Sequence, residues 1–151
     1  MDRTAPHDIE PASGGIFSFR RTGWVELPLL LAAIPAGFPS PADDYVDRTL
    51  DLNDFLIRHP AATFFVRVAG DSMTGAGIRS GDILIVDRAL APEHNRIIIA
   101  ALNGELTVKR MRKEGGRIFL VPENGDYAPI EVTPEMQFEV WGVVAHVIHS
   151  V

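Results

Sequence analysis

Arg96-Ile97-Ile98-Ile99-Ala100-Ala101-Leu102-Asn103-Gly104-Glu105-Leu106-Thr107-Val108-Lys109-Arg110-Met111 is the stretch on which the fold turns. Two runs rich in β-branched and aliphatic residues flank Asn103-Gly104, a pair that favours the positive φ angles of a type I′ turn, so a β-hairpin of strands 96–102 and 105–111 is predicted. Outward from it, further strands are predicted at 63–69, 83–86, 118–121 and 138–148, mostly short and bounded by turn residues. Closely spaced strands of this kind imply a mainly β fold, a twisted antiparallel sheet or partly closed barrel, rather than alternating β and α units. One short helix is expected where Asp51 can cap Leu52, Phe55, Leu56 and Ile57, whose spacing gives one apolar face, with Pro60 just beyond.

Residues 1–44 read differently. Pro6, Pro11, Pro28, Pro35, Pro39 and Pro41, interspersed with glycines, disfavour long helices and continuous central strands, so the chain divides into an extended N-terminal arm, 1–44, and a β-rich domain, 45–151. Within the arm, Pro39-Ser40-Pro41 holds the backbone stiff just beyond Ala36-Gly37, because each proline fixes its own φ and restricts its predecessor. An extended segment is the form a protease cleft accepts.

Composition bounds the chemistry. With 151 residues and 46% hydrophobic content the chain has the size of one globular domain plus a tail. Its net charge of −6 supplies no overall positive field, so direct sequence-specific binding of nucleic acid is not expected. The absence of cysteine removes disulfides, thiolate nucleophiles and zinc-thiolate sites together. Arg20-Arg21 followed by the apolar run 27–36 has the outline of a targeting signal, but Glu26, Pro28 and Pro35 leave roughly ten apolar residues against the roughly twenty a membrane helix needs. No membrane association is therefore expected. His146 and His149 fall on opposite faces of a strand, and His7, His59 and His94 have no partner at ligand spacing, so no metal site is expected. Asp43-Asp44 reads as solvated loop charge.

Gly70-Asp71-Ser72-Met73 directly follows the strand ending at Ala69, and Gly75-Ala76-Gly77 follows it, which puts Ser72 on a sharp exit from a strand. An exposed hydroxyl there suits a nucleophile, with backbone N–H groups close enough to stabilise an oxyanion. Taken alone, the tetrapeptide reads as an ordinary strand-to-turn transition in which Asp71 and Ser72 bond the local backbone. Lys109 changes the balance. Strict alternation places it with Thr107 and Met111 on one face of its strand and Val108 on the other. At an ordinary pKa of about 10.4 only about one lysine in a few thousand is neutral at pH 7, so a lysine base requires burial to lower that value. A neutral Lys109 beside Ser72 is the Ser/Lys form of an activated nucleophile, and the alternative is an exposed strand lysine beside Arg110.

Three motifs in order, Gly70-Asp71-Ser72-Met73, 81–87 (Gly81-Asp82-Ile83-Leu84-Ile85-Val86-Asp87) and 104–110 (Gly104-Glu105-Leu106-Thr107-Val108-Lys109-Arg110), resemble the LexA/UmuD group of Ser/Lys autoproteases. Residues 36–46, together with Ile57-Arg58-His59-Pro60, resemble the UmuD branch in particular. The resemblance implies that Ser72 is the nucleophile and Lys109 the general base, that the N–H groups of Ser72 and Met73 are oxyanion donors, and that the chain cuts itself between Ala36 and Gly37 without cofactor or metal. It further implies a cytoplasmic homodimer in the SOS response, activated by the RecA filament on single-stranded DNA. The trimmed form then joins a UmuC-type Y-family DNA polymerase in error-prone translesion synthesis. Three features depart from the pattern: an arm about a dozen residues longer, Asn95-Arg96 at a turn that often reads Gly-Asp, and Ala36 where some relatives carry cysteine.

Rival readings stand beside this one. A LexA-type repressor needs a winged-helix domain for which the residues before Ala36 are too few, and a signal peptidase needs a membrane anchor. A catalytically silent β-domain that only binds a polymerase is the alternative from another class.

Overall fold

The computed structural model describes residues 16–18, 23, 26–30, 36–37 and 46–151. Residues 1–15, the Pro39-Ser40-Pro41 segment and Asp43-Asp44 lie outside the described residues. The central hairpin forms as its sequence requires: β6 (Ile97–Leu102) and β7 (Glu105–Glu114) pair antiparallel from Ile97↔Arg110 to Leu102↔Glu105. Asn103 and Gly104 at its tip have φ of 50° and 83°, the left-handed pair that a type I′ turn demands.

Around this hairpin the chain builds one antiparallel sheet. With β1 (Ile16–Ser18), β4 (Thr63–Arg67), β5 (Ile83–Asp87), β8 (Arg117–Val121), β9 (Ile130–Val132) and β10 (Phe138–Ile148), the order is β1-β4-β5-β10-β6-β7-β8-β9. Its ends, β1 and β9, do not pair with each other, so the sheet is open. A separate two-stranded sheet joins β2 (Glu26–Leu30) to β3 (Val46–Asp51). Strand β10 is the hub, pairing with both β5 and β6, and each ladder carries a register shift, at Val144/His146 and at Val140/Gly142. A bulge bends its strand and increases the local twist, which re-aims the strands on either side.

The sheet buries two clusters. Phe64, Val68, Met73, Ile78, Leu84, Val86 and Ile99 form one, and Ile98, Ala100, Met111, Leu120 and Val143 form the other. Ile98 and Ile99 are neighbours in sequence and lie in different clusters, the alternation expected of a strand. Met73, only 1% exposed, comes from the turn after β4 and pins that turn to the first cluster.

Two details differ from the sequence reading. Strand β7 runs past Met111 to Glu114, because Arg112, Lys113 and Glu114 pair with Phe119, Ile118 and Arg117 of β8. The helix appears as α1 (Leu52–Leu56), with the Asp51 carboxylate accepting from Asn53 N at 2.7 Å, but its apolar face is divided. Ile57 is buried, while Leu52 and Phe55 remain more than half exposed.

Candidate active site

The turn after β4 and the first half of β7 meet. Ser72 and Lys109 are thirty-seven positions apart in sequence, and Lys109 Nζ lies 3.1 Å from Ser72 Oγ. The same nitrogen lies 2.8 Å from Thr107 Oγ1 and 3.0 Å from the Val108 carbonyl. No carboxylate is among these partners, and burial alone pushes the Lys109 pKa below its ordinary value. Lys109 is therefore not the exposed strand lysine of the alternative reading.

Local structure explains how each residue is held. Gly70, at φ 91°, turns the chain out of β4, and Met73 buries itself immediately after Ser72, so the serine is fixed from both sides. The Ser72 hydroxyl meets Lys109 rather than the local backbone. Among the described residues, the backbone N–H groups of Ser72 and Met73 have no hydrogen-bond acceptor. On β7, the pairing with β8 begins only at Arg110↔Val121, so among the described residues the segment 105–109 keeps β6 on one side and has no strand partner on the other.

Ser72 and Lys109 open onto a cleft of about 270 Å³. Val66, Val68, Leu84, Ile99 and Leu106 provide aliphatic lining, which keeps the amine in a medium that disfavours its charge. Ala36 and Gly37 form an exposed bend and are not part of this cleft lining. The structure thus brings together the serine and the lysine.

The sequence profile of the Peptidase S24-like family matches residues 28–145. The chain belongs to this family of serine peptidases. Protein SamA of Salmonella typhimurium is 49% identical over 123 residues, which cover 82% of this chain and 85% of SamA. Protein ImpA of Escherichia coli is 44% identical over 128 residues, covering 81% of this chain and 83% of ImpA. The LexA repressor of Paracidovorax citrulli is 37% identical over 147 residues, covering 97% of this chain but 65% of the repressor. Within the S24 family the chain is UmuD-like.

Other polar residues of this S24 domain serve its architecture. His59 Nδ1 bonds the buried Asp87 at 2.6 Å, and His149 Nδ1 bonds the buried Asp82 at 2.7 Å. His94 Nδ1 accepts from Lys113 N at 2.9 Å, and the His146 ring lies 6.4 Å from that of Phe55. Among the described residues no three His, Asp or Glu side chains converge as a metal site, and no helix is long and apolar enough to cross a membrane. Asn95 takes φ 67°, so asparagine keeps the left-handed turn at the departure noted above. Residues 122–127 carry no catalytic motif of their own, yet Glu123 N donates to the Ser72 carbonyl at 2.8 Å.

Proposed function

We propose that this chain is an SOS-response autoprotease that cuts its own Ala36-Gly37 bond, and that the trimmed product, 37–151, is the accessory subunit of an error-prone translesion polymerase. The observation that carries the reading is the arrangement around Lys109 Nζ. The Val108 carbonyl can only accept, and Thr107 Oγ1, 2.8 Å away, can accept as well, so a neutral amine can place its two N–H bonds on these two oxygens. In that arrangement the lone pair faces the Ser72 hydroxyl, 3.1 Å away. That arrangement supports Lys109 as general base and Ser72 as nucleophile.

The reaction follows from it. Lys109 takes the Ser72 proton as Oγ attacks the Ala36 carbonyl carbon, and the N–H groups of Ser72 and Met73 stabilise the oxyanion. Collapse breaks the bond to Gly37, whose nitrogen takes the proton back from Lys109, and leaves an ester between Ser72 and Ala36. Water, deprotonated by Lys109, then releases the Ala36 carboxylate and restores Ser72. The aliphatic cleft suits the run Leu31-Ala32-Ala33-Ile34 that leads to Ala36. The side of β7 at 105–109 that has no strand partner among the described residues offers backbone groups to an extended peptide, the β-addition mode of recognition.

In this reading residues 1–44 are the arm and 45–151 the peptidase domain. Each arm is cut once, so the rate is governed by how often the arm is docked, and the RecA filament on single-stranded DNA acts by favouring the docked state. The product works as a cytoplasmic homodimer with a UmuC-type Y-family polymerase. The higher identity to SamA and ImpA than to the LexA repressor supports this role over repression.

The test is intact mass of the purified chain with and without RecA filament, with Ser72→Ala alongside. A filament-dependent fragment beginning at Gly37, absent from the variant, is expected. A wild-type chain that stays whole with the filament, and also at about pH 9–10 where even a weakly perturbed lysine begins to lose its proton, overturns the protease reading and favours the binding module.

A further inference from the structure

The turn that carries Ser72 is gripped by a segment from the far side of the sheet. After β8 the chain continues through Pro122 to Tyr127, and this segment makes four hydrogen bonds to residues 71–75. Glu123 N donates to the Ser72 carbonyl at 2.8 Å, and Gly75 N donates to the Glu123 carbonyl at 2.6 Å. Asn124 Nδ2 donates to the Asp71 carbonyl at 3.0 Å, and the Tyr127 hydroxyl donates to the Asp71 carboxylate at 2.5 Å. Glu123 is itself held through its carboxylate by Arg110, the residue after Lys109, and Arg110 is tied to the Asn95 carbonyl at 2.6 Å.

Placement of these bonds matters more than their number. Asp71 immediately precedes Ser72, and its peptide plane sets the direction of the Ser72 N–H. Side chains fifty-three and fifty-six positions away hold that residue by its carbonyl and by its carboxylate. Ser72 is reached through its own carbonyl, and Gly75 through its N–H. The fit is close: a Cβ on Gly75 would stand 2.5 Å from the Glu123 carbonyl oxygen, so the approach is open only to glycine.

We propose that Asn124 and Tyr127 are positioning residues for the Ser72 nucleophile, acting through Asp71 to keep Oγ aimed at Lys109. The inference rests on the protease reading above. Tyr127 is nearly half exposed and Asp71 is exposed, so their bond adds little to global stability, and its loss is felt in chemistry before folding. A misplacement of the reacting atoms by a fraction of an ångström is enough to slow a step that depends on alignment.

The test follows Ser72 directly, by its rate of phosphonylation with a fluorophosphonate probe on the full chain across pH, alongside self-cleavage and thermal melting. In phosphonylation Ser72 Oγ forms the bond to phosphorus, fluoride leaves and Lys109 takes the proton, so no arm docking is involved. Tyr127→Phe is expected to lower the plateau rate about tenfold, equivalent to about 1.4 kcal/mol, with the pH midpoint and melting temperature unchanged. Asp71→Asn, which keeps an acceptor for Tyr127, should react as the parent does. Asp71→Ala should match Tyr127→Phe, with the double variant no slower than either. Asn124→Ala is expected to show the same lowered plateau. A Tyr127→Phe plateau within about twofold of the parent, a factor below about 0.5 kcal/mol, overturns the inference, as does a shifted midpoint, since then the residue acts on Lys109. If the parent chain neither labels at Ser72 nor cuts itself, it is the protease reading that fails.

Discussion

Two kinds of ionisable pair lie in this one sheet, and they are wired in opposite senses. Asp82 and Asp87 are buried carboxylates, each with a histidine at one oxygen and a backbone N–H at the other. Arg79 N reaches Asp82 at 2.8 Å and Ala89 N reaches Asp87 at 2.8 Å. At Asp82 these hydrogen bonds favour the charged form. The N–H of Arg79, followed by His149, holds the Asp82 pKa below its ordinary value. Lys109 has only neutral acceptors and an aliphatic wall, so its surroundings disfavour the charge it carries in water. A group stabilised in its charged state makes a good structural post. One that is held partly against its charge is ready to exchange a proton.

The largest effect that would break this comparison is on turnover. Ser72→Ala and Lys109→Arg should each slow self-cleavage by at least about a thousandfold, since a guanidinium cannot accept a proton at working pH. Urea denaturation should place Ser72→Ala within about 0.5 kcal/mol of the parent. Cleavage in both variants at rates near the parent's would remove the functional contrast between the two kinds of pair.

Next comes pH. Cleavage should rise about tenfold per pH unit and level off at the Lys109 pKa, below the 10.5 of an ordinary lysine. Folding lowers this pKa, so the unfolded chain binds more protons between the folded value and 10.5, and stability rises with pH across that window. The cost is fully present below the folded pKa and gone above the unfolded one. Lys109→Met should accordingly abolish cleavage while making the domain more resistant to urea at neutral pH. A less stable methionine variant would show that the amine is comfortable as a cation.

The carboxylate posts give a medium-sized effect of the other kind. Asp87→Ala leaves the Ala89 N–H and His59 without their acceptor and should cost about 1–3 kcal/mol in urea, with cleavage by the folded fraction nearly unchanged. For Asp82 the sign is that of a depressed carboxylate: its contribution is present above pH 3.8 and lost as pH falls through the lower folded value. Asp82→Asn should therefore flatten the acid limb of the melting curve. The smallest effect is expected from His59→Gln, less than about 1 kcal/mol, because its side chain is 48% exposed and solvent screens the pair. A larger loss would mean that the histidine, and not the backbone N–H, is the main support of Asp87.

Much of this was legible in the sequence. The hairpin around Asn103-Gly104, the strands at 63–69, 83–86, 118–121 and 138–148, and the capping role of Asp51 all rest on nearest-neighbour rules, and the structure has them with shifts of a few residues at most in nearly every case. What escaped has identifiable causes. Strand β9 is three residues long and lies between Pro129 and Pro134, so its pattern is too short to read. The end of β7 is Arg112-Lys113-Glu114, charged residues that look like a turn and pair because β8 lies opposite. The pairing of β1 with β4 and of β2 with β3 joins segments far apart in the chain, which no local pattern specifies.

The candidate site divides along the same line. By itself the sequence determined that a serine leaves a strand at a glycine-bounded turn and that a lysine alternates with Thr107 on another strand, because turn chemistry and the two-residue period of a strand are local properties. Only the tertiary structure decided that the two meet at 3.1 Å, that β7 has no second strand partner beside them among the described residues, and that Asn124 and Tyr127 close around Asp71. Those facts depend on the offsets between strands, which are set by the bulges of β10 and by the packing of Met73 into the core. Such offsets come from many weak contacts summed over the whole sheet, and no single stretch of sequence contains them.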